Sequence, residues 1–102
     1  MNKYTGLSDF EINKKVAEKL GIRLTPRNGV LILSATKLFN PCNNPSDAMP
    51  IIIKDKICLT VGDSDDIWVA DTTRSLESSF NERPLRAAME VYLLMKDAEN
   101  EG

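Results

Sequence analysis

The strongest constraint on the fold is a helical pattern over residues 84–98. Pro84 stands in its first turn, where a missing backbone N–H breaks no helical hydrogen bond. Apolar residues recur at helical spacing over a wide arc, formed by Leu85, Ala87, Ala88, Met89, Val91, Tyr92, Leu94, Met95 and Ala98. A helix that is apolar over so wide an arc needs cover on several sides. The sequence therefore predicts that this segment is the central packing helix.

A second helix is predicted near the start of the chain, over residues 8–20. Ser8 and Glu11 have the spacing of a capping box, and Gly21 stands where a left-handed residue commonly ends a helix. Asn13 is a polar residue within an apolar arc whose other members are Phe10, Ile12, Val16, Ala17 and Leu20. Because a buried amide needs hydrogen-bond partners, we expect Asn13 to bond to a loop.

A first hairpin is predicted after this helix. Residues 30–34 are a short β-branched run typical of a strand. The preceding Arg27-Asn28-Gly29 indicates a turn, because Asn and Gly tolerate positive φ. Residues 22–24 are ambiguous, and Ile22 and Leu24 are candidates for the other arm.

A second hairpin has the clearest strand pattern in the chain. Residues 57–61 alternate with period two, residues 62–66 are polar, and residues 67–70 are again apolar. Residues 71–81 are interpreted as a polar connection to the last helix.

Residues 46–54 are interpreted as a short helix with polar capping at its start. Pro50 fits this interpretation if it lies in the first turn or so; the alternative is a strand over residues 51–53. The resulting order predicts one α+β domain. It has a small antiparallel sheet of three strands, or four with residues 22–24, packed with two longer helices and one short helix.

Composition excludes several classes of function. The chain of 102 residues has no histidine, which rules out His-based acid–base chemistry, Ser-His and Cys-His pairs and most catalytic zinc sites. Carboxylate, Lys or Tyr catalysis stays open. A net charge of −2 argues against binding to a nucleic-acid backbone. No apolar run approaches the roughly 20 residues of a spanning helix, and the sequence shows no secretory signal. We therefore expect a cytoplasmic protein, with Cys42 and Cys58 as free thiols.

Three segments carry a family resemblance: LSDFEIN at residues 7–13, FNPCNNPSD at residues 39–47 followed by PII at residues 50–52, and RAAM at residues 86–89. They resemble the NinX-like family of small phage proteins. The element order also resembles the broader phage helix–sheet–helix sandwich domain. The resemblance implies a bacteriophage or prophage origin and an accessory role, and it brings no catalytic residue. The family pattern commonly has Trp where Met49 stands here.

The Asn-rich segment, residues 40–47, is the main candidate for a site. Its polar side chains are those of Asn40, Asn43, Asn44, Ser46 and Asp47. They gather at the start of a predicted helix, whose free amides can bind an anion or an extended peptide, although Asp47 competes for those amides. The alternative is that the segment only satisfies its own backbone and caps the helix. Asn13 is predicted to hold it from below.

Other residues also have both a structural and a functional interpretation. Trp68 and Tyr92 are core aromatics or ligand platforms. Arg83 and Arg86 either clamp an anion or lie in a solvated first turn. Residues 63–66 contain three aspartates that lack the Gly and Glu pattern of a calcium loop, which favours a solvated hairpin tip.

These observations predict a non-enzymatic phage accessory protein that binds a host or phage protein or a small molecule, without cofactor, metal or membrane. The predicted binding residues are Asn13, Asn40, Asn43, Asn44, Ser46, Asp47, Trp68 and Arg86. The alternatives are a small carboxylate-dependent enzyme and a nucleic-acid-associated protein. Oligomeric state stays open, with a dimer through a sheet edge or an apolar helix as one option.

Overall fold

A computed structural model describes residues 2–34, 37–64 and 66–101. Within them the helices are α1 (Asp9–Leu20), α2 (Pro45–Lys54) and α3 (Pro84–Glu101). The strands are β1 (Thr25–Arg27), β2 (Val30–Ser34), β3 (Lys37–Leu38), β4 (Ile57–Val61), β5 (Trp68–Thr72) and β6 (Ser78–Asn81). They form two antiparallel sheets, sheet A in the order β1-β2-β3 and sheet B in the order β4-β5-β6. The α+β class is confirmed, with the strands divided between two sheets instead of one.

Helix α3 is the centre of the molecule, as its apolar arc predicts. It packs on all three strands of sheet B and on both α1 and α2. Met89, Leu93 and Met95 are completely buried in it, and each such side chain stabilises the fold by about 1.5–3 kcal/mol. No helix in the described ranges is long and apolar enough to cross a bilayer.

The boundaries of α1 follow the predicted capping chemistry. The Ser8 hydroxyl accepts the Glu11 amide at 3.2 Å, and the Glu11 carboxylate accepts the Ser8 amide at 3.2 Å. Gly21 ends the helix with φ at 75°, a conformation that glycine adopts without steric strain.

The first hairpin turns at Asn28 and Gly29, whose φ angles are 52° and 79°. Its first arm is β1, where Arg27 pairs with Val30, and not residues 22–24 as suggested. The tight turn fixes this register, while Ile22 and Leu24 pack against the core from outside the sheet. The short strand β3 was not predicted.

Residues 51–53 are helical, so the interpretation of this region as a helix is confirmed and the strand alternative is wrong. The first-turn condition on Pro50 is also wrong. Helix α2 begins at Pro45, which places Pro50 in its second turn, where it removes one intrahelical hydrogen bond. The burial of Ile51 and Ile52 favours the helix in spite of this loss.

The interpretation of residues 71–81 as a connection is wrong, because β5 continues to Thr72 and β6 spans Ser78–Asn81. Ser79 is buried opposite Ala70, and its hydroxyl donates to the Glu90 carboxylate at 2.6 Å. The inward-facing residue of β6 can be polar because a carboxylate of α3 accepts its hydrogen bond.

Candidate functional site

Asn13 anchors the Asn-rich segment, as predicted. It is 4% exposed; its Nδ2 donates to Asn40 Oδ1 at 2.8 Å, and its Oδ1 accepts the Cys42 amide at 3.0 Å. Asn43 Nδ2 also donates to Asn40 Oδ1, at 3.1 Å. We call Asn13, Asn40 and Asn43 the amide cluster. One side chain of α1 therefore fixes the loop that leads into α2.

The rest of the segment satisfies backbone groups. The Asp47 carboxylate accepts the Asn40 amide at 2.9 Å. Asn44 is the N-cap of α2, and its side chain accepts the Ser46 amide at 3.0 Å. For Asn44 and Asp47 the structure shows the capping arrangement that was the alternative to a binding site. The side chain of Ser46 is exposed.

Asp9 links α1, the amide cluster and α3. Arg83 donates to both of its oxygens at 2.7 Å, Arg86 donates to one at 2.8 Å, and Asn43 donates at 3.0 Å. The Arg83 hydrogen bonds, helped by those of Arg86 and Asn43, hold the pKa of Asp9 well below its usual range in spite of partial burial. The Asp9 side chain is therefore a fixed negative charge at neutral pH.

Arg86 lies below Asp9 and is only 4% exposed. Its Nε donates to Glu90 at 2.6 Å, and one terminal nitrogen donates to the carbonyls of Tyr4 and Leu7 at 2.9 and 2.7 Å. Burial lowers the pKa of Arg86, but the hydrogen bonds with Asp9 and Glu90 raise it by more, so the guanidinium stays charged. The Arg86 guanidinium donates to groups within the protein, whereas Arg83 is the arginine that faces solvent.

Glu90 is completely buried, and the sequence interpretation missed it. It accepts from Arg86, from Ser79 and, at 3.2 Å, from Asn2. We call Asp9, Arg83, Arg86 and Glu90 the ionic chain. The spacing of four between Arg86 and Glu90 was the signal available in the sequence. No buried side-chain nitrogen or oxygen in the described ranges lacks a hydrogen-bond partner.

A cleft of about 230 Å³ lies between the amide cluster, the start of α1 and sheet A. Asp9 and the amide cluster form its polar wall, and its apolar wall comes from Phe10, Val30, Leu31, Leu38 and Phe39. This volume is below the roughly 300–1,000 Å³ of typical small-molecule sites. Its polar groups are also bonded to one another, which leaves few free for a ligand.

A larger groove of about 390 Å³, also lined by Phe39, lies between α1, α2, α3 and sheet A. Its wall contains four lysines, so we call it the lysine groove: Lys19, Lys37, Lys54 and Lys96. Ser46 and Asp47 reach it, whereas the amide cluster does not. Sequence reasoning missed this site, because its lysines come from four different elements.

The lysines of the groove differ in their partners. Lys19 lies 3.6 Å from Asp97, and Lys96 lies 3.6 Å from the buried Asp55. Lys37 and Lys54 make no ion pair with any described residue. Two of the four ammonium groups therefore have no ion-pair partner in the described ranges, although Asp47 and Asp55 also line the groove.

Tyr92 lines the same groove and is otherwise buried, at 1% exposure. Burial, with smaller contributions from Asp55 and Glu99, raises the pKa of its phenol to about 12. Its hydroxyl is therefore a neutral donor at physiological pH, and it makes no hydrogen bond to the described part of the chain. Since every fully buried side-chain oxygen in the described ranges is bonded, this hydroxyl is the part of Tyr92 that meets solvent in the groove. Lys96 Nζ lies 5.5 Å from the centre of the ring.

The remaining predicted residues lie elsewhere. Trp68 is half-buried in β5, paired with Val61 and Asn81, and it lines neither the cleft nor the groove. Met49 is exposed on α2, outside both. Asp63 and Asp66 are exposed and Asp65 lies outside the described residues; the described ranges contain no group of three metal-binding side chains.

Comparison with known proteins agrees with the resemblance in the sequence. The structure is similar to a crystal structure of a phage protein from Bacillus cereus ATCC 14579, with a TM-score of 0.62 over 91% of this chain and 96% of that one. The two sequences are 15% identical, so this likeness concerns the fold alone. No curated protein matches significantly. The family model described as "Bacteriophage P22, NinX" matches residues 3–96. The chain therefore belongs to the bacteriophage P22 NinX family.

Proposed function

We propose that the protein is a non-enzymatic binding protein that acts in the cytoplasm of the infected bacterium. Its site is the lysine groove, and its ligand is an acidic segment of a host or phage protein that also carries apolar side chains. The observation that carries this proposal is the hydroxyl of Tyr92. It lies in the wall of a groove, retains its proton at neutral pH and has no protein acceptor.

Charge selects the class of ligand. The chain as a whole has a net charge of −2, yet Lys37 and Lys54 meet at this groove without carboxylate partners. Ammonium groups and a phenol are all donors, and a carboxylate accepts from both. An acidic side chain of the partner therefore satisfies the donors that the fold leaves open.

The apolar surface supports a protein ligand. Leu33, Phe39 and Ile51 line the groove beside Tyr92. Burial of one apolar side chain against them supplies about 1.5–3 kcal/mol. A volume of about 390 Å³ accommodates an anchoring side chain of the kind that dominates protein interfaces.

The enzyme alternative has less support. A catalytic carboxylate needs a pKa near the working pH, whereas the arginines lower the pKa of Asp9 and keep it ionised. Burial, with a smaller effect of Asp9, raises the pKa of the Cys42 thiol to about 12, which opposes a nucleophilic role.

The proposal is tested with a fluorescent peptide of alternating Glu and Leu residues, titrated by anisotropy. A Lys–Leu peptide of the same length is the control probe. We expect saturable binding of the Glu peptide alone. Tyr92→Phe, which removes only the hydroxyl, should weaken it by about tenfold or more, because hydrogen bonds to charged groups are worth roughly 1.5–3 kcal/mol. Lys37→Ala and Lys54→Ala should each weaken it by about two- to fivefold.

Lys15→Ala is the matched control, because Lys15 is exposed on α1 outside the groove. It should bind as the natural protein does. Equal binding of the two peptides, or Glu-peptide binding that is unaffected by Tyr92→Phe, contradicts the proposal. Phenylacetate is added as a competitor. If it displaces the peptide and binds as tightly, the anionic ligand is a small molecule, and the proposal of an acidic protein segment as the ligand is wrong.

A further inference from the structure

Strand β4 is an edge of sheet B without the usual protection. It lies at one end of the order β4-β5-β6, and its sequence, ICLTV, contains no charged residue and no proline. Natural edge strands commonly carry charges, prolines or bulges that prevent pairing with another chain. Its pairing with β5 is regular over all five residues, from Ile57 to Val61.

The free hydrogen-bonding groups of this edge can be assigned. The Gly62 amide donates to the Ile67 carbonyl at 2.8 Å, which directs residue 62 toward β5. Because backbone groups of an antiparallel strand alternate in direction, Cys58 and Thr60 also face β5. The N–H and C=O groups of residues 57, 59 and 61 therefore face outward, and they have no partner in the described part of the chain.

The exposed charges that flank β4 in the described residues are opposite in sign, since Asp55 at its start is buried and paired with Lys96. Lys56 precedes the strand, and Asp63 and Asp66 follow it. All are exposed, and none forms an ion pair with a described residue. Antiparallel pairing of two copies brings the Lys56 end of each strand to the aspartate end of the other. Parallel pairing would place like charges together.

Apolar surface beside this edge is also unpartnered. Val61 is 61% exposed, and Ile53, whose carbonyl accepts the Lys56 amide just before the strand, is 63% exposed. If Leu59 pairs with Leu59 of the second copy, Val61 lies opposite Ile57 of that copy, a buried residue, and extends the apolar face that Ile57 and Leu59 form with their own core. Directly opposed side chains share one face of a sheet and pack together.

We propose that two copies of this chain associate through β4, antiparallel about a two-fold axis, and join their B sheets into one continuous sheet. The occupant of this edge is a second copy because the strand is complementary to itself in charge and in apolar pattern. Such an isologous interface closes after two subunits. The inference is independent of the lysine groove, which is formed by other elements.

Sedimentation equilibrium over a concentration series tests the dimer. We expect a two-chain mass that dissociates on dilution. Val61→Pro removes an outward N–H and leaves the ladder to β5 intact, so it should give a folded monomer, whereas Val61→Thr keeps the N–H and should retain the dimer. A monomer at the highest soluble concentration, or a dimer in Val61→Pro, overturns the proposal.

Charge reversal tests the register. Lys56→Glu and Asp63→Lys should each weaken the dimer by about tenfold or more, because they place like charges together, and the double variant should restore it. Lys15→Glu makes the same change of charge on α1 and should have no effect. Failure of the double variant to restore the dimer overturns the antiparallel register.

Amide exchange gives a readout within the strand. In the dimer, the amides of residues 57, 59 and 61 should become protected, while those of Cys58 and Thr60 are protected in both monomer and dimer. Equal exchange of the first set with and without association would overturn pairing through this edge.

Discussion

The cleft beside the amide cluster and the lysine groove share Phe39 as a lining residue, and the two regions differ in whether their polar groups have partners. Asn13, Asn40 and Asn43 bond to one another and to backbone, and through Asp9 they join the ionic chain. In the groove, Lys37, Lys54 and the Tyr92 hydroxyl have no partner in the described ranges. A polar cluster that is fully bonded supports the fold, whereas open donors beside apolar surface are available to a ligand.

The largest expected effect tests whether the ionic chain supports the fold. Glu90→Ala should lower the free energy of unfolding by about 3–5 kcal/mol, because it leaves the buried Arg86 guanidinium short of its nearest carboxylate. Urea denaturation measures this loss. Glu99→Ala is the control in the same helix, since Glu99 is exposed, and it should change stability by less than about 1 kcal/mol.

Equal effects of the two substitutions would show that burial of the charge is not what makes the ionic chain important. The bonded region would then no longer be distinguished from the lysine groove by its contribution to stability.

The next effect tests the amide cluster itself. Asn13→Ala should lower the free energy of unfolding by about 1–3 kcal/mol, because the Cys42 amide loses its acceptor inside the protein. Asn43→Ala removes an amide of the same cluster at an exposed position and should have a smaller effect. Thermal unfolding of both variants measures the difference. An unchanged midpoint for Asn13→Ala would mean that the loop does not depend on this anchor.

The sequence predicted what depends on local pattern. The capping box of α1, the Asn28-Gly29 turn, the second hairpin and the central helix all follow from residues close together in the chain. Sequence reasoning also placed Asn13 under the loop, because a single polar residue in an apolar arc needs a partner.

The features that could not be predicted from the sequence depend on residues far apart in the chain. Strand β6 is polar because Ser79 bonds to Glu90, and that pairing is visible only when α3 lies on sheet B. The lysine groove likewise assembles from α1, sheet A, α2 and α3. The Asn-rich segment was predicted as a site because of its composition. Composition does not show whether polar groups are already bonded to one another.

A third effect concerns the titration of Asp9. Its pKa in the folded protein is below the ordinary 3.8, so its contribution to stability is fully present above that pH and is lost as the pH falls toward the folded pKa. Asp9→Asn should therefore reduce the dependence of the unfolding midpoint on pH below about 4. Glu77→Gln, at an exposed carboxylate without an ion pair in the described ranges, should leave it unchanged. Parallel acid profiles for Asp9→Asn and the natural protein would contradict the role of Asp9.

The smallest effect on stability is expected for Tyr92→Phe, and it makes the comparison sharpest. Tyr92 is nearly as buried as Glu90, so by burial alone its substitution should be costly. Because its hydroxyl has no protein acceptor, its removal breaks no hydrogen bond, and the free energy of unfolding should change by less than about 0.5 kcal/mol. The same variant should lose binding of the acidic peptide. A large loss of stability would mean that the hydroxyl is bonded inside the fold, and the lysine groove would then resemble the amide cluster as a structural feature.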